Sequence, residues 1–223
     1  MKSGGLKEAA IKICGLREPD DVALCLDLGV DFTGFVFVKD SPRYVEAAAA
    51  ARLPRGGAAR VGVFAGQSAD EIQRIMDVAR LDFAQLHGDE SPELCRKVGA
   101  ERVIKVFWPQ RIPDATNADA TLSGRLDALC APFADVCAFF LLDAGTAGGG
   151  SGRSLAWTGL EHFCPTLPWL LAGGIGEHNA CAALSACRPF GLDCNSALET
   201  SPGVKDGARI AALMRSIGRE GRG

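Results

Sequence analysis

The 223-residue chain is poor in aromatics, 7% with a single Tyr, and it has no long apolar run. Its longest, residues 136–142, falls far short of the roughly 20 residues that cross a bilayer as a helix. The opening MKSGGLKEAA holds no apolar stretch of the roughly 7 to 15 residues that a signal peptide needs, so a cytoplasmic chain is expected. There is no C-x-x-C pair and no H-E-x-x-H, and the three histidines, His87, His162 and His178, lie far apart, which argues against a zinc site. No metal is expected. Nine cysteines would suggest a disulfide framework in a short secreted chain, but here the count is odd and the chain is long, so free thiols are the expectation. Basic residues form no stripe, and 27 acidic against 24 basic side chains leave a net charge of −3, which disfavours nucleic acid as a partner. The remaining expectation is a small-molecule ligand.

What the chain does have is a repeat of short apolar, β-branched runs with amphipathic stretches between them, the pattern of βα units in a parallel sheet. Eight strands are predicted, over residues 11–14, 32–38, 60–64, 82–86, 102–107, 138–142, 169–172 and 191–194. Helix signals fill the gaps. Pro19 suits a first helical position and Gly29 a helix end, Ser68 to Glu71 reads as a capping box, and Ser91-Pro92 as a cap followed by proline. Ile210, Leu213, Met214 and Ile217 mark the apolar face of a last helix. The stretch 108–135, with Pro109, Pro113 and Pro132, makes the fifth helix the weakest. Eight such units in one chain of this length predict a single-domain α/β fold, a (β/α)8 TIM barrel over 1–223, with frayed tails at 1–10 and 218–223.

Reacting groups of such a barrel come from the C-terminal ends of its strands, and here those ends are polar. Alternation along 11–14 puts Lys12 and Cys14 on the inward face. Cys14 then sits at the rim, where a neighbouring cation or bound substrate could lower its pKa from about 8.5. Alternation along 138–142 carries Phe139, Leu141 and Asp143 to one face, which leaves Asp143 either employed there or capping the next turn. Asp193 and Lys12 suit a structural pair inside the barrel or a hydrogen bond to substrate. His87 could be a general base, but no carboxylate near it in sequence would orient it, and a packing or loop-fixing role is preferred. Arg43, in an exposed-looking loop between Pro42 and Tyr44, could clamp a carboxylate at two points. Glycine-bearing loops after strands six and seven, at Gly148 to Arg153 and Gly173 to Gly176, with the small polar turn Asn195 to Ala197 after strand eight, favour phosphate, because glycine lets backbone N–H groups approach it closely.

Taken in order, Lys12-Ile13-Cys14-Gly15, Gly34-Phe35-Val36-Phe37 with Ser41-Pro42-Arg43-Tyr44, Val61-Gly62-Val63-Phe64, Gln85-Leu86-His87-Gly88, Leu141-Leu142-Asp143, Gly149-Gly150-Ser151-Gly152 and Gly173-Gly174 resemble the phosphoribosylanthranilate isomerase family of tryptophan biosynthesis over residues 11–217. The resemblance implies a cofactor-free Amadori rearrangement of N-(5-phosphoribosyl)anthranilate to 1-(2-carboxyphenylamino)-1-deoxyribulose 5-phosphate. It makes Asp143 the general acid on the ribose ring oxygen and Cys14 the general base at C2. Arg43 would hold the anthranilate carboxylate, and Gln85, His87 and Asp193 would line the substrate. Gly150, Gly152, Gly173, Gly174, Asn195 and Ser196 would hold the phosphate. The sequence departs from the family where Ala197 replaces a glycine of the last motif, which would crowd the phosphate, and where Leu155-Ala156-Trp157 lacks an aspartate. Two rivals are an indole-glycerol-phosphate synthase-like barrel, which would want an inward lysine with glutamates, and a non-catalytic phosphosugar-binding regulator, which would bind without turnover. The resemblance leaves monomer and homodimer equally open.

Overall fold

The computed structural model describes residues 9–112, 121–143, 157 and 159–219. Eight parallel strands hydrogen bond in chain order and close on themselves. They are β1 Ala10–Ile13, β2 Phe32–Val36, β3 Ala59–Phe64, β4 Phe83–Leu86, β5 Val103–Phe107, β6 Phe139–Asp143, β7 Trp169–Ala172 and β8 Gly191–Cys194. The ring is closed by β8 against β1, with Ala10 opposite Gly191 and Lys12 opposite Asp193. All eight predicted strands are present, so the barrel fold is as expected. Strand ends shift by a residue or two, and two of the shifts bear on the rim. β2 stops at Val36, because Tyr44 folds back to bridge it and the Val45 N–H takes the Val36 carbonyl. β6 runs on to Asp143, which pairs with Ala172 and is therefore a strand residue, not part of a following turn.

Seven α-helices occur among the described residues: α1 Pro19–Asp27, α2 Ala47–Ala50, α3 Ala69–Ala79, α4 Pro92–Val98, α5 Leu122–Cys130, α6 Ala180–Cys187 and α7 Gly207–Ser216. The signals that predicted them are used. Pro19 opens α1, and Gly29, at φ 71°, follows it in the left-handed region that costs glycine nothing. The hydroxyls of Ser68, Ser91 and Thr121 accept N–H bonds that the first turns of α3, α4 and α5 leave unpaired. The helix expected between β6 and β7, with its Leu155-Ala156-Trp157 start, falls where 144–156 and 158 lie outside the described residues. No helix among the described residues is long and apolar enough to cross a membrane.

Strand alternation divides the core. Ile11, Ile13, Phe35, Phe64, Leu86, Phe107, Leu142, Leu171 and Leu192 face outward against the helices. Inside, the N-terminal end of the barrel is plugged by Phe32, Phe83 and Phe139, whose rings meet edge to face at 5.6–6.1 Å between centroids. Above the plug, Lys12, Gln85 and Asp193 share the lumen with Val61, Val106, Leu141 and Leu170. Arg219 bonds the Asp31 carboxylate, the Gly29 carbonyl and the Ala9 carbonyl. Asp31 also accepts the Ile11 N–H at 2.7 Å, so one carboxylate ties Arg219 to the first strand.

Candidate active site

Lys12 is fully buried in the lumen, and its ammonium lies 2.9 Å from the Asp193 carboxylate on the adjoining strand. A buried ammonium costs free energy unless paired. Here burial works against the Lys12 charge, but the Asp193 carboxylate and the Cys14 sulfur outweigh it, and the net shift is upward. This is the structural pair that alternation suggested. Gly34 on β2 makes room for it, since a Cβ there would sit 2.9 Å from Cys14 Sγ and 3.1 Å from Lys12 Nζ.

Cys14 prolongs β1, its N–H bonded to the Cys194 carbonyl, and it packs with Val36 and Val63 just above Lys12. Its proton affinity departs from expectation. Burial pushes the thiol up, and the Lys12 ammonium pulls it down without prevailing, so the sulfur holds its proton more tightly than a free thiol. All nine cysteines are free.

Asp143 ends β6 on the inner face with Leu141 and Phe139. His87, which lacked a carboxylate near it in sequence, has one in space: its Nε2 lies 3.6 Å from Asp143 Oδ2. Burial holds the imidazole below its ordinary value, with Asp143 opposing, so the ring is neutral near pH 7. Its Nδ1 faces the Gln85 amide nitrogen, a donor, at 3.4 Å. That contact matches the tautomer with its proton on Nε2, on the side of Asp143. Trp108 stands edge-on to the ring at 5.2 Å, and the guanidinium of Arg111 covers Trp108 at 4.0 Å. The loop that carries His87 is braced from outside the barrel. Buried Lys105 donates to the Gly88 carbonyl and to Glu90, and Glu90 accepts from the Gly66 and Gly88 N–H groups.

Arg43 corrects the sequence reading. Its loop is exposed at Lys39, Asp40 and Pro42, but the Arg43 side chain is buried, with Nε and Nη2 bonded to the two oxygens of Glu199 at 2.8 and 2.6 Å. Asn195 accepts from Lys205 Nζ on both its carbonyl and its side-chain oxygen. Neither Lys205 nor Glu199 was given a role from the sequence. No spacing rule links either residue to Arg43, and a carboxylate just after apolar Leu198 was the only hint.

At the strand-seven end Gly173 and Gly174 adopt φ 108° and 68°, and Asn179 pins this turn by donating to the Gly174 carbonyl and accepting from the Gly176 N–H. Ser196 begins a short 3-10 turn after β8. The Ala197 methyl lies against Gly176, 3.1 Å from where a Cβ there would be, so the extra carbon meets the neighbouring glycine loop. Gly150 and Gly152 lie outside the described residues. Among the described residues, no cluster of three or more His, Cys, Asp or Glu is arranged to hold a metal.

A closed parallel barrel with a thiol, a carboxylate–imidazole pair and a buried ammonium gathered at the C-terminal ends of its strands is a (β/α)8-barrel enzyme site. Comparison with known proteins gives the particular family. The family model for N-(5'-phosphoribosyl)anthranilate (PRA) isomerase matches residues 11–216. The N-(5'-phosphoribosyl)anthranilate isomerase of Desulfovibrio desulfuricans is 48% identical over 204 residues, covering 92% of this chain and 93% of that protein. The crystal structure of phosphoribosyl anthranilate isomerase from Thermus thermophilus superposes with a TM-score of 0.76 at 31% identity, covering 93% and 98% of the two chains. A phosphoribosyl anthranilate isomerase solved in complex with reduced 1-(o-carboxyphenylamino)-1-deoxyribulose 5-phosphate gives 0.73 at 28%, covering 94% and 98%. The chain belongs to the N-(5'-phosphoribosyl)anthranilate isomerase family and is an isomerase of tryptophan biosynthesis.

Proposed function

We propose that this chain carries out the Amadori rearrangement of N-(5-phosphoribosyl)anthranilate with Asp143 as general acid and Cys14 as general base. Asp143 donates its proton to the ribose ring oxygen, the C1–oxygen bond breaks, and the anthranilate nitrogen becomes an iminium. Cys14 then removes the C2 proton, the electron pair flows to nitrogen, and the resulting enolamine tautomerises to the ketone. The reaction moves protons and gains or loses no electrons, so it calls on no redox cofactor. The observation that carries this reading is the placement of Cys14 and Asp143 on the inner face at the C-terminal ends of β1 and β6, three strands apart around the ring.

The surroundings support each role. The Nε2–H of neutral His87 stabilises the Asp143 carboxylate that remains once its proton has left. Cys14 acts as base in its thiolate form: its proton passes to solvent before the C2 step, the positive charges of Lys12 and of the iminium favour that thiolate, and burial leaves it a strong base. Asp193, with one oxygen on Lys12, turns toward the sugar hydroxyls. Arg43 meets the anthranilate carboxylate with the guanidinium nitrogen that Glu199 leaves over. The backbone of Gly173, Gly174 and Ser196 receives the phosphate, with Gly150 and Gly152 completing it. The proposed setting is the cytoplasm, and one chain supplies every group named, as a monomer or within a homodimer.

The test is turnover of freshly prepared N-(5-phosphoribosyl)anthranilate, followed by loss of its anthranilate fluorescence. Cys14→Ala and Asp143→Asn should each lower kcat/KM by about 10² to 10⁴, the weight of one acid or base. Full activity in either variant refutes its role. Binding without turnover in the parent chain favours the phosphosugar-binding regulator.

A further inference from the structure

Three buried charges meet outside the proposed acid–base pair. Glu199, on the β9 strand Glu199–Ser201, takes Arg43 Nε and Nη2 on its two oxygens and Lys205 Nζ on Oε1 at 2.8 Å. Lys205, on the β10 strand Val204–Lys205, is itself buried and also bonds the Asn195 carbonyl at 3.1 Å and the Asn195 side-chain oxygen at 2.8 Å. An ammonium has three N–H donors, and these three acceptors use all of them, so Lys205 has none left for a phosphate. Its role is to hold other groups.

The groups it joins belong to opposite ends of the proposed substrate. Arg43 is the carboxylate end, and Asn195 opens the Asn195–Ser196 turn at the phosphate end. Between them lies Gly15, at φ 74°, where a Cβ would fall 2.8 Å from Arg43 Cδ and 2.8 Å from Asn195 Oδ1. The two ends therefore face each other across the backbone that follows Cys14. The hairpin carrying the lattice is seated on the Arg43 loop as well, since a Cβ at Gly203 would lie 2.4 Å from the Pro42 carbonyl oxygen.

We infer that Glu199 and Lys205 are positioning residues that register the two ends of the substrate site against each other through one shared carboxylate. Glu199 aims the guanidinium of Arg43, and Lys205 anchors the Asn195–Ser196 turn. Because Lys205 and Arg43 pull on the same carboxylate, a change at one end reaches the other. This rests on the functional reading above for the identity of the two ends.

Two fragments separate the ends: inorganic phosphate for the turn, and anthranilate for Arg43. Dissociation constants are measured by calorimetry on the parent chain, Lys205→Met, Glu199→Gln and Arg219→Met. The last breaks the ion pair to Asp31 at the far end of the barrel and serves as a control for lost stability alone. Lys205→Met should weaken phosphate about tenfold, and Glu199→Gln should weaken anthranilate about tenfold, the scale of one charge-assisted bond. Each should also weaken the other fragment by about threefold or more, while KM rises and kcat stays within about threefold. The inference is overturned if each variant moves only its nearest fragment, or if both merely melt earlier, as Arg219→Met does, with unchanged dissociation constants. Should Lys205→Met fail to fold, Glu199→Gln keeps the side-chain shape and carries the test through its effect on phosphate. A parent chain that binds both fragments but does not turn over phosphoribosylanthranilate sinks the functional reading, while the lattice is still judged on the binding constants.

Discussion

Lys12→Met tests whether the ion pair in the lumen serves stability and chemistry together. Lys12 is wholly buried and Asp193 only 6% exposed, with 2.9 Å between charges, so removing the ammonium leaves a carboxylate alone in the barrel. Breaking a buried pair from one side costs about 3 to 5 kcal/mol. In a chain of this size that lowers the melting midpoint by roughly 6 to 20 °C. The second consequence is chemical. Lys12 is the largest influence holding the Cys14 thiol down against burial, so without it the thiol rises further, and each unit gained leaves about tenfold less thiolate at neutral pH. Thermal and denaturant unfolding of Lys12→Met and of Lys12→Met/Asp193→Leu, with kcat/KM across pH for both, separates the two effects. The double variant replaces the pair by apolar groups, so it should regain most of the lost stability without regaining activity. A double variant as unstable as the single one would refute the ion-pair account, and a single variant with parental kcat/KM would refute the link to Cys14. Because the folded-state Lys12 pKa is raised, its contribution is complete below the ordinary lysine value of about 10.4 and is lost only as pH climbs through the folded value. The comparison at pH 7 is therefore on the plateau.

Two further outcomes follow from packing and charge. Gly34→Ala puts a methyl 2.9 Å from Cys14 Sγ and 3.0 Å from Cys14 Cα, where backbone cannot yield easily, so it should cost about 1 to 3 kcal/mol and, by displacing the sulfur, up to about 10² in kcat; parental values for both would show that the sulfur has room to spare. Glu90, despite burial, has its carboxyl held below the ordinary range by Lys105 and by N–H bonds from its own loop and Gly66, so its contribution is present above about pH 4.3 and is lost as pH falls through the folded value. Glu90→Gln should be less stable than the parent at pH 7, and denaturant midpoints should converge as the solution is acidified below that point; a gap that stays constant with pH would show that the charge is not what Glu90 supplies.

Much of the barrel was legible because strand and helix signals are local. A run of alternating residues places Lys12 and Cys14, or Leu141 and Asp143, on one face without reference to the rest of the chain, and the structure keeps those faces. Caps at Ser68 and Ser91 are equally local. The readings that changed all depended on a distant partner. Arg43 looked exposed because Glu199 is 156 residues away in sequence, and His87 looked unoriented because Asp143 comes 56 residues later. The direction of the Cys14 shift likewise depends on how completely the ring shuts out water, which no stretch of sequence records.

The amino-acid order by itself determined how many strands the barrel has, which side chains point inward and where glycine frees the backbone, since steric limits on each residue and its near neighbours decide these. Tertiary structure alone decided what those inward groups meet. Closing β8 onto β1 sets Lys12 beside Asp193 across 181 residues of chain, and folding the β9–β10 hairpin over the rim joins Glu199 and Lys205 to Arg43. Only that closure, by excluding water, turns scattered charges into pairs strong enough to hold a site in place.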